Sequence, residues 1–252
     1  MNQEEIKQAQ PEKDKEQKEE RHTNNKKEEK KSSSEKFVDF ISKNRKIIIG
    51  LGIAIVLIIV AIGIYTAVSG NIASASSRAM ELADQKTLQW SQETDEQKKA
   101  ETESSLIAEL DSIAKKWPKT VAAQRALLRK AAILSNKKEY AEAEKAALEA
   151  YKRNKKSYVA PIALELAAVA AEESGNIDAA LEHYILITKD YKKDNPAAPH
   201  AFFNVGRIKE AKGDYKGAVE AYDQLVSSFG DSEWAMLAKN RVIYLKAQGL
   251  AD

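Results

Sequence analysis

The hydrophobic and polar positions of the chain follow two patterns, and the change between them falls near residue 70. Residues 47–68 are apolar and contain no charged side chain. From residue 74 onward, apolar residues recur three and four positions apart, which is the period of an amphipathic helix. No stretch alternates with the two-residue period of a strand. The pattern predicts an all-α fold in which one long apolar helix precedes a series of amphipathic helices.

The apolar stretch at 47–68 has the length of a transmembrane helix. Its 22 residues would span about 33 Å, and a bilayer core is about 30 Å thick. A buried helix of a soluble protein has a polar face, but only Tyr65 and Thr66 are polar here. A cleaved signal peptide is the alternative, because residues 73–75, Ala-Ser-Ala, resemble a cleavage site. Such a signal has a shorter apolar core and a shorter leader, so we expect a single membrane span.

Basic residues flank this span on one side only. Lys43, Arg45 and Lys46 precede it, whereas residues 69–77 carry no charge. Positive residues stay in the cytoplasm. The sequence therefore predicts a single-pass protein of the cytoplasmic (inner) membrane with a cytoplasmic N-terminus. The domain that follows the span would be periplasmic or otherwise extracytoplasmic.

Composition divides the remaining chain into three parts. Residues 1–36 consist of short Lys and Glu blocks with almost nothing to bury, which predicts a disordered charged cytoplasmic tail. Residues 37–46 form a basic juxtamembrane segment whose apolar side chains would lie among lipid headgroups. A break at 69–71, Ser-Gly-Asn, would separate the span from a helical-repeat domain at 72–252.

Three segments of this domain repeat a helix, a tight turn and a second helix. They lie at about 123–153, 161–191 and 200–229. In each copy, two small residues stand where antiparallel helices would cross closely, and a large apolar residue precedes the first of them by one turn. The small residues are Ala131, Ala168 and Gly206 in the first helices and Ala143, Ala180 and Ala218 in the second. The large residues are Leu127, Leu164 and Phe202.

These copies resemble the tetratricopeptide repeat. Tyr140, Ile177 and Tyr215 mark the turn of each copy at separations of 37 and 38 residues, slightly longer than the usual 34. The turn of the first copy, Lys138-Glu139, lacks the glycine of the other two and is expected to be weaker. A generic helical bundle with a coincidental period is the alternative. The resemblance implies a TPR-like helical solenoid.

Other helices would cover the ends of this solenoid, where terminal units depart from the repeat pattern. Two of them are predicted at 74–93 and 96–116, and the second ends at the sequence Trp117-Pro118. A closing helix is predicted at 232–248, with Ser232 as its N-terminal cap and a glycine after its end.

The resemblance implies that the first helix of each repeat lines a concave groove that binds proteins or peptides. Side chains beside the large apolar residue, and one turn to either side, would point into this groove or pack against the next helix. The groove residues predicted in this way are Arg125, Leu128, Arg129, Ala132, Ile162, Glu165, Val169, Glu172, His200, Phe203, Asn204, Arg207 and Glu210. Repeats that clamp a terminal carboxylate use Lys and Asn here. Only Asn204 matches, so we do not expect such a clamp.

The composition does not point to catalysis. The chain has no Cys, its three His share no ligand spacing, and no nucleophile, phosphate-loop or zinc motif occurs. His183 is expected at the surface or at the groove edge. Residues 1–46 hold 13 basic and 11 acidic side chains, which leaves 27 of each elsewhere. Neither part has the basic excess of a nucleic-acid binder. We expect no enzymatic activity, metal, cofactor, small-molecule substrate or nucleic-acid partner.

The whole arrangement resembles the bacterial ancillary subunit family of the SecYEG translocon. The resemblance covers roughly residues 40–252 and rests on the topology, on the Trp117-Pro118 stop and on the repeats, whereas the long charged tail departs from the family. It implies a membrane-tethered scaffold that works beside the Sec translocon and hands emerging chains to periplasmic chaperones. Two alternatives stay open: an envelope scaffold that organises cell-wall or division machinery, and a self-assembling structural membrane protein.

Overall fold

Ten helices and their connections make up the part of the chain that the computed structural model describes, residues 33–191 and 195–251. That part contains no strand, so the predicted all-α fold is confirmed. The chain divides into two compact units at the boundary between Thr66 and Ala67. In chain order the helices are α1 Ser33–Lys43, α2 Arg45–Gln92, α3 Glu96–Lys116, α4 Val121–Asn136, α5 Tyr140–Arg153, α6 Val159–Glu173, α7 Ile177–Asp190, α8 Ala198–Ala211, α9 Tyr215–Ser228 and α10 Glu233–Ala247.

The first unit contains α1 and the apolar beginning of α2. Residues 1–32 of the predicted charged tail lie outside the described residues. Its last four residues, 33–36, are helical rather than disordered, because they supply the first turn that α1 needs before it can propagate. All of α1 is free of buried residues. Its exposed large apolar side chains are Phe37, Val38, Phe40 and Ile41.

The beginning of α2 carries the stretch predicted to span the membrane. Its large apolar side chains, from Ile47 to Val68, are exposed, and none of its most apolar part is buried. Among the described residues, this is the one helix that is long and apolar enough to cross a membrane, judged by length and composition alone.

The break predicted at 69–71 is wrong, because α2 continues without interruption to Gln92. The segment contains no proline, and a single glycine such as Gly70 weakens a helix by only about 1 kcal/mol. The later part of α2 is amphipathic and buries Met80, Ala83 and Trp90 in one cluster with the apolar face of α3. This packing stabilises the part of α2 that follows the predicted break.

Three helical hairpins, α4–α5, α6–α7 and α8–α9, occupy the segments in which the repeats are predicted. The residue two positions before each second helix has a positive φ: 62° at Lys138, 83° at Gly175 and 80° at Gly213. In the last two turns the cap side chains, Asn176 and Asp214, accept hydrogen bonds from backbone N–H groups of the second helix. The first turn has no glycine and no such cap bond, and the expectation that it is weaker than the other two stays a prediction.

The two helices of each hairpin cross at the small residues that the sequence singles out. All five alanines of this set are fully buried. The sixth residue, Gly206, faces Tyr222 so closely that an added Cβ would overlap the aromatic ring. The large residues beside the crossings are at most 4% exposed, so they fill the space next to each close approach.

The closing helix α10 begins with Ser232, whose hydroxyl accepts a hydrogen bond from Ala235 N at 3.1 Å. Gly249 follows its end with a φ of 65°, as expected for a helix C-terminus. One face of α10 packs on the last hairpin through Ala238 and Leu245, which are fully buried. Its opposite face carries exposed apolar side chains.

Candidate partner-binding groove

Side chains from α2, α4 and α6 line a central cavity of about 440 Å³. This volume lies within the range of ligand pockets in proteins. Most of the predicted groove residues of the first two repeats line it. The lining residues are Asp84, Arg125, Leu128, Arg129, Ala132, Ile162, Glu165, Leu166 and Val169.

The walls of the central cavity combine open apolar side chains with charged ones. Ile162 is 44% exposed and Val169 is 37% exposed, whereas Leu128 is half-buried. Arginines lie on the α4 side and Glu165 lies on the α6 side. An apolar side chain of a partner would therefore find aliphatic surface that is already accessible to it.

Two further cavities adjoin the central one. A cavity of about 310 Å³ shares Asp84, Arg129 and Ala132 with it and extends along the end of α2. A cavity of about 630 Å³ shares Ile162 and Glu165 with it and extends toward α8 and α10. We call these three adjoining cavities the groove.

Aromatic rings close the groove at its α10 end. Trp234 lines the 630 Å³ cavity, and its ring centroid lies 4.5 Å from His200 and 5.3 Å from Phe203. Phe203 in turn contacts Tyr222 at 5.6 Å and lines a separate cavity of about 530 Å³. Trp234 thus contacts His200, which lines the groove, and Phe203, which lines this last cavity.

Ionisable side chains along this side of the domain form pairs between neighbouring helices. Asp84 of α2 accepts hydrogen bonds from Arg125 and Arg129 of α4. Two pairs join α6 to α8: Glu165 with His200 at 2.6 Å and Glu172 with Arg207 at 2.7 Å. A further pair joins Glu210 of α8 to Arg241 of α10.

These pairs shift two arginine pKa values and anchor one tyrosine. The hydrogen bond from Arg207 to Glu172 raises the pKa of that arginine, and Glu210 raises the pKa of Arg241 in the same way. The buried Tyr222 hydroxyl also donates to Glu210 at 3.1 Å, and burial raises the pKa of Tyr222. The raised pKa values keep both arginines charged and Tyr222 neutral near neutral pH.

The central cavity lies where this series of pairs is interrupted. The pairs described above join α2 to α4, α6 to α8 and α8 to α10, whereas α4 and α6 meet across aliphatic side chains. The most open apolar surface of the groove is therefore at the junction of the first and second hairpins.

The predicted groove residues of the third repeat are more engaged in packing. Asn204 is 6% exposed, and its side-chain amide donates to the His200 carbonyl at 3.1 Å and accepts from Arg207 at 2.9 Å. Phe203 packs against Trp234 and Tyr222. For these residues the structure favours packing within the domain. This is the second of the two roles, groove lining or packing, that the sequence pattern allows.

The sequence analysis missed several residues of this surface, among them Asp84, Tyr158, Trp234 and Arg241. Three of them lie outside the repeats, on α2 and α10, and Tyr158 lies in the connection before α6. The repeat register does not reach these positions. The one usable indication was that Asp84 lies one turn after Met80, on the side of α2 that the helical periodicity turns toward the domain.

The expectation that His183 lies at the surface or groove edge is wrong. His183 is only 8% exposed, and its Nε2 lies 2.8 Å from a carboxylate oxygen of Glu144 on α5. It is three residues from Ala180 and four from Ile187, both fully buried, so helical periodicity places it on the buried face of α7. Within the described ranges, no group of three or more His, Asp or Glu side chains is placed to hold a metal ion.

Comparisons with known proteins match this architecture to tetratricopeptide repeats. A family model described as a tetratricopeptide repeat matches residues 200–232, which contain α9 and all but the first two residues of α8. A curated TPR repeat-containing protein from Treponema pallidum is 36% identical over 148 residues. That alignment covers 58% of this chain and 61% of the relative, so the chain matches less than two thirds of the relative's length.

A solved structure gives the same fold. A tetratricopeptide repeat protein from Parabacteroides merdae superposes with a TM-score of 0.50 at 18% identity, covering 68% of this chain and 61% of that protein. The third hairpin matches the tetratricopeptide repeat in sequence. The helical hairpins of the described chain form a TPR-like solenoid.

Proposed function

We propose that this chain is a membrane-tethered scaffold that binds segments of partner proteins in its groove, outside the cytoplasm. The observation that carries this proposal is the open apolar cavity between α4 and α6. Solenoids of helical repeats use extended concave surfaces of this kind to bind other proteins. The scaffold itself is proposed to have no catalytic activity.

The arrangement of the groove favours a polypeptide segment as its ligand. Three adjoining cavities offer successive positions for side chains along an extended chain. Most charged side chains around them already have partners, so a charged ligand group would have to displace an existing ion pair. Affinity would therefore come mainly from apolar side chains that enter the aliphatic part of the groove.

The proposed tether is the beginning of α2. Its apolar side chains are exposed on every side, and such a helix is stable in hydrocarbon but not in water. The basic residues before it and their absence after it support a cytoplasmic N-terminus and extracytoplasmic repeats. A tether of this kind raises the concentration of the groove near the membrane, so that weak contacts suffice.

The finer proposal is assistance of protein translocation or chaperone hand-off at the Sec channel. It is supported by the resemblance in topology, a single span followed by repeats, to the ancillary translocon subunits. Co-purification of channel subunits with the full-length protein from membranes would support it. Recovery of cell-wall or division enzymes instead would favour the envelope scaffold.

Site-specific photo-crosslinking tests the groove. A photoreactive amino acid at Ile162, on the wall of the central cavity, is compared with one at Ile185 on α7. The two side chains are matched in type and in exposure, 44% and 38%, but Ile185 is not among the groove-lining residues. We expect discrete protein adducts in cells from position 162 and none, or much fewer, from position 185.

A second pair of variants shows whether those adducts depend on the aliphatic wall. Val169→Lys places a charge in the central cavity at a position that is already 37% exposed, so the fold should tolerate it. We expect it to reduce adducts at position 162 at least threefold, and Ile185→Lys to leave them unchanged. Equal adducts from positions 162 and 185, or adducts that ignore Val169→Lys, would rule out the groove as the binding surface.

A further inference from the structure

The closing helix α10 is apolar on two opposite faces. Ala235, Ala238 and Leu245 are fully buried against the last hairpin. On the other side, Met236 is 61% exposed and Ile243 is 66% exposed. An apolar helix face normally packs against another element, but the exposed apolar face of α10 has no covering layer in the described chain.

The exposed residues form one stripe centred on Asn240. At about 100° per residue, Met236, Leu237, Ile243 and Tyr244 fall within an arc of about 120° whose middle is Asn240. Leu237 and Tyr244 are 43% and 48% exposed, and Asn240 is also exposed. The stripe is therefore a continuous surface of four large apolar side chains around one amide.

The stripe is also symmetric along the helix. Met236 and Tyr244 lie four residues before and after Asn240, and Leu237 and Ile243 lie three before and after it. If a second copy of α10 is laid antiparallel across the first with Asn240 at the two-fold axis, each apolar side chain meets an apolar side chain. The two amides then meet at the axis, where paired asparagines fix the register of helices.

We propose that this stripe is a self-association surface, on which α10 of a second copy of the chain docks antiparallel with Asn240 at the two-fold axis. A two-fold interface uses the same patch on both copies, so the patch must be complementary to itself. The symmetric stripe meets this requirement. Antiparallel docking also brings the first turn of one helix, with Glu233, to the end of the interface where Lys246 of the other lies, and it opposes the two helix dipoles favourably.

The size of the stripe predicts a weak dimer. At roughly 200 Å² for a fully exposed large side chain, the four residues expose about 400 Å² per copy, which is within the range of the largest apolar patch on a monomer. Two copies would bury about 800–1,000 Å², which is in the class of transient interfaces. Confinement of both copies to one membrane would raise their effective concentration and favour the dimer.

Cysteine crosslinking tests the register, because the chain contains no natural Cys. Asn240→Cys places two thiols at the proposed axis, and mild oxidation of the full-length protein in detergent micelles should give a disulfide-linked dimer. Lys246→Cys is the matched control, since it is also exposed on α10. In the antiparallel register its two thiols would be separated by about 18 Å along the helix axes and should not react.

Two further samples make the test specific to the stripe. A mixture of Met236→Cys and Tyr244→Cys proteins should give a mixed dimer in excess of either protein alone. Adding Ile243→Asp to Asn240→Cys should lower the dimer at least fivefold, while the circular dichroism spectrum stays unchanged because Ile243 is exposed. Association through the apolar part of α2 alone would produce dimers but not this pattern.

The proposal is overturned if position 240 crosslinks no more than position 246, or if Ile243→Asp leaves the crosslink unchanged. It is also overturned if Met236→Cys and Tyr244→Cys each crosslink with themselves as readily as with each other, because that result indicates a parallel pair or random collision. A selective crosslink at 240 together with the mixed 236–244 dimer supports it.

Discussion

Lys138 holds the left-handed backbone conformation that glycine occupies in the other two repeat turns. Its φ of 62° costs a residue with a Cβ roughly 1 kcal/mol. The following residue, Glu139, makes no side-chain cap bond to α5. The first turn therefore combines an unfavourable backbone with a missing cap, both visible in the sequence once the repeat register is known.

We predict that Lys138→Gly stabilises the repeat domain by about 1 kcal/mol, because it removes the backbone strain. Thermal unfolding followed by circular dichroism measures the change. Gly175→Ala is the reciprocal control: an added Cβ meets nothing within 4 Å, but φ is 83°, so this variant should lose about as much. A loss of stability in Lys138→Gly would contradict the described turn.

Gly206 occupies a position where one close contact leaves no room for a side chain. Its Cβ-free surface lies against the Tyr222 ring where α8 and α9 cross. We expect Gly206→Ala to lower the free energy of unfolding by about 1–3 kcal/mol despite the better helix propensity of alanine, because the two helices must move apart. Chemical denaturation measures this, and a stabilised Gly206→Ala variant would show that the crossing is looser.

At the scale of the elements, the repeat register predicted the hairpins well. Tyr140, Ile177 and Tyr215 are the first residues of α5, α7 and α9, and the small residues around them lie at the crossings. The groove was predicted less completely. Glu165 and Arg125 could be placed from the register, but their environment depends on Asp84 and Trp234, which belong to helices without repeat spacing.

At this scale, the main feature that the local residue types failed to predict is that α2 is continuous. Ser-Gly-Asn at 69–71 is typical of a loop, yet distant packing at Met80, Ala83 and Trp90 continues the helix through the next turns. Local propensity is weak beside such packing. His183 also shows that residue type alone is a weak guide. Its polar type suggests a surface position, whereas the periodicity of α7 places it on the buried face.

We predict that amide hydrogens at residues 70–72 exchange as slowly as those of the neighbouring turns of α2. Hydrogen exchange of the full-length protein in micelles, read by mass spectrometry, measures this. Gly70→Pro is the control that removes one helical hydrogen bond and clashes with the preceding turn, so it should accelerate local exchange. Fast exchange in the unmodified protein would instead support a break at 69–71.

At the scale of the whole molecule, the proposed function depends on a repeat domain with a partner surface and on an apolar helix that precedes it in the chain. The groove presents aliphatic surface between α4 and α6 and closes at Trp234. The stripe on α10 would add contact between copies. Both proposals place protein–protein contacts, and no chemistry, at the centre of what the chain does.

Membrane topology tests the central claim most directly. Single cysteines at Ser33, at the start of α1, and at Ser174, in the exposed turn of the second hairpin, are labelled in intact cells with a membrane-impermeant thiol reagent. We predict labelling at 174 but not at 33, and at both after lysis. Labelling at neither before lysis and at both afterwards would place the repeats in the cytoplasm and contradict the proposed extracytoplasmic scaffold.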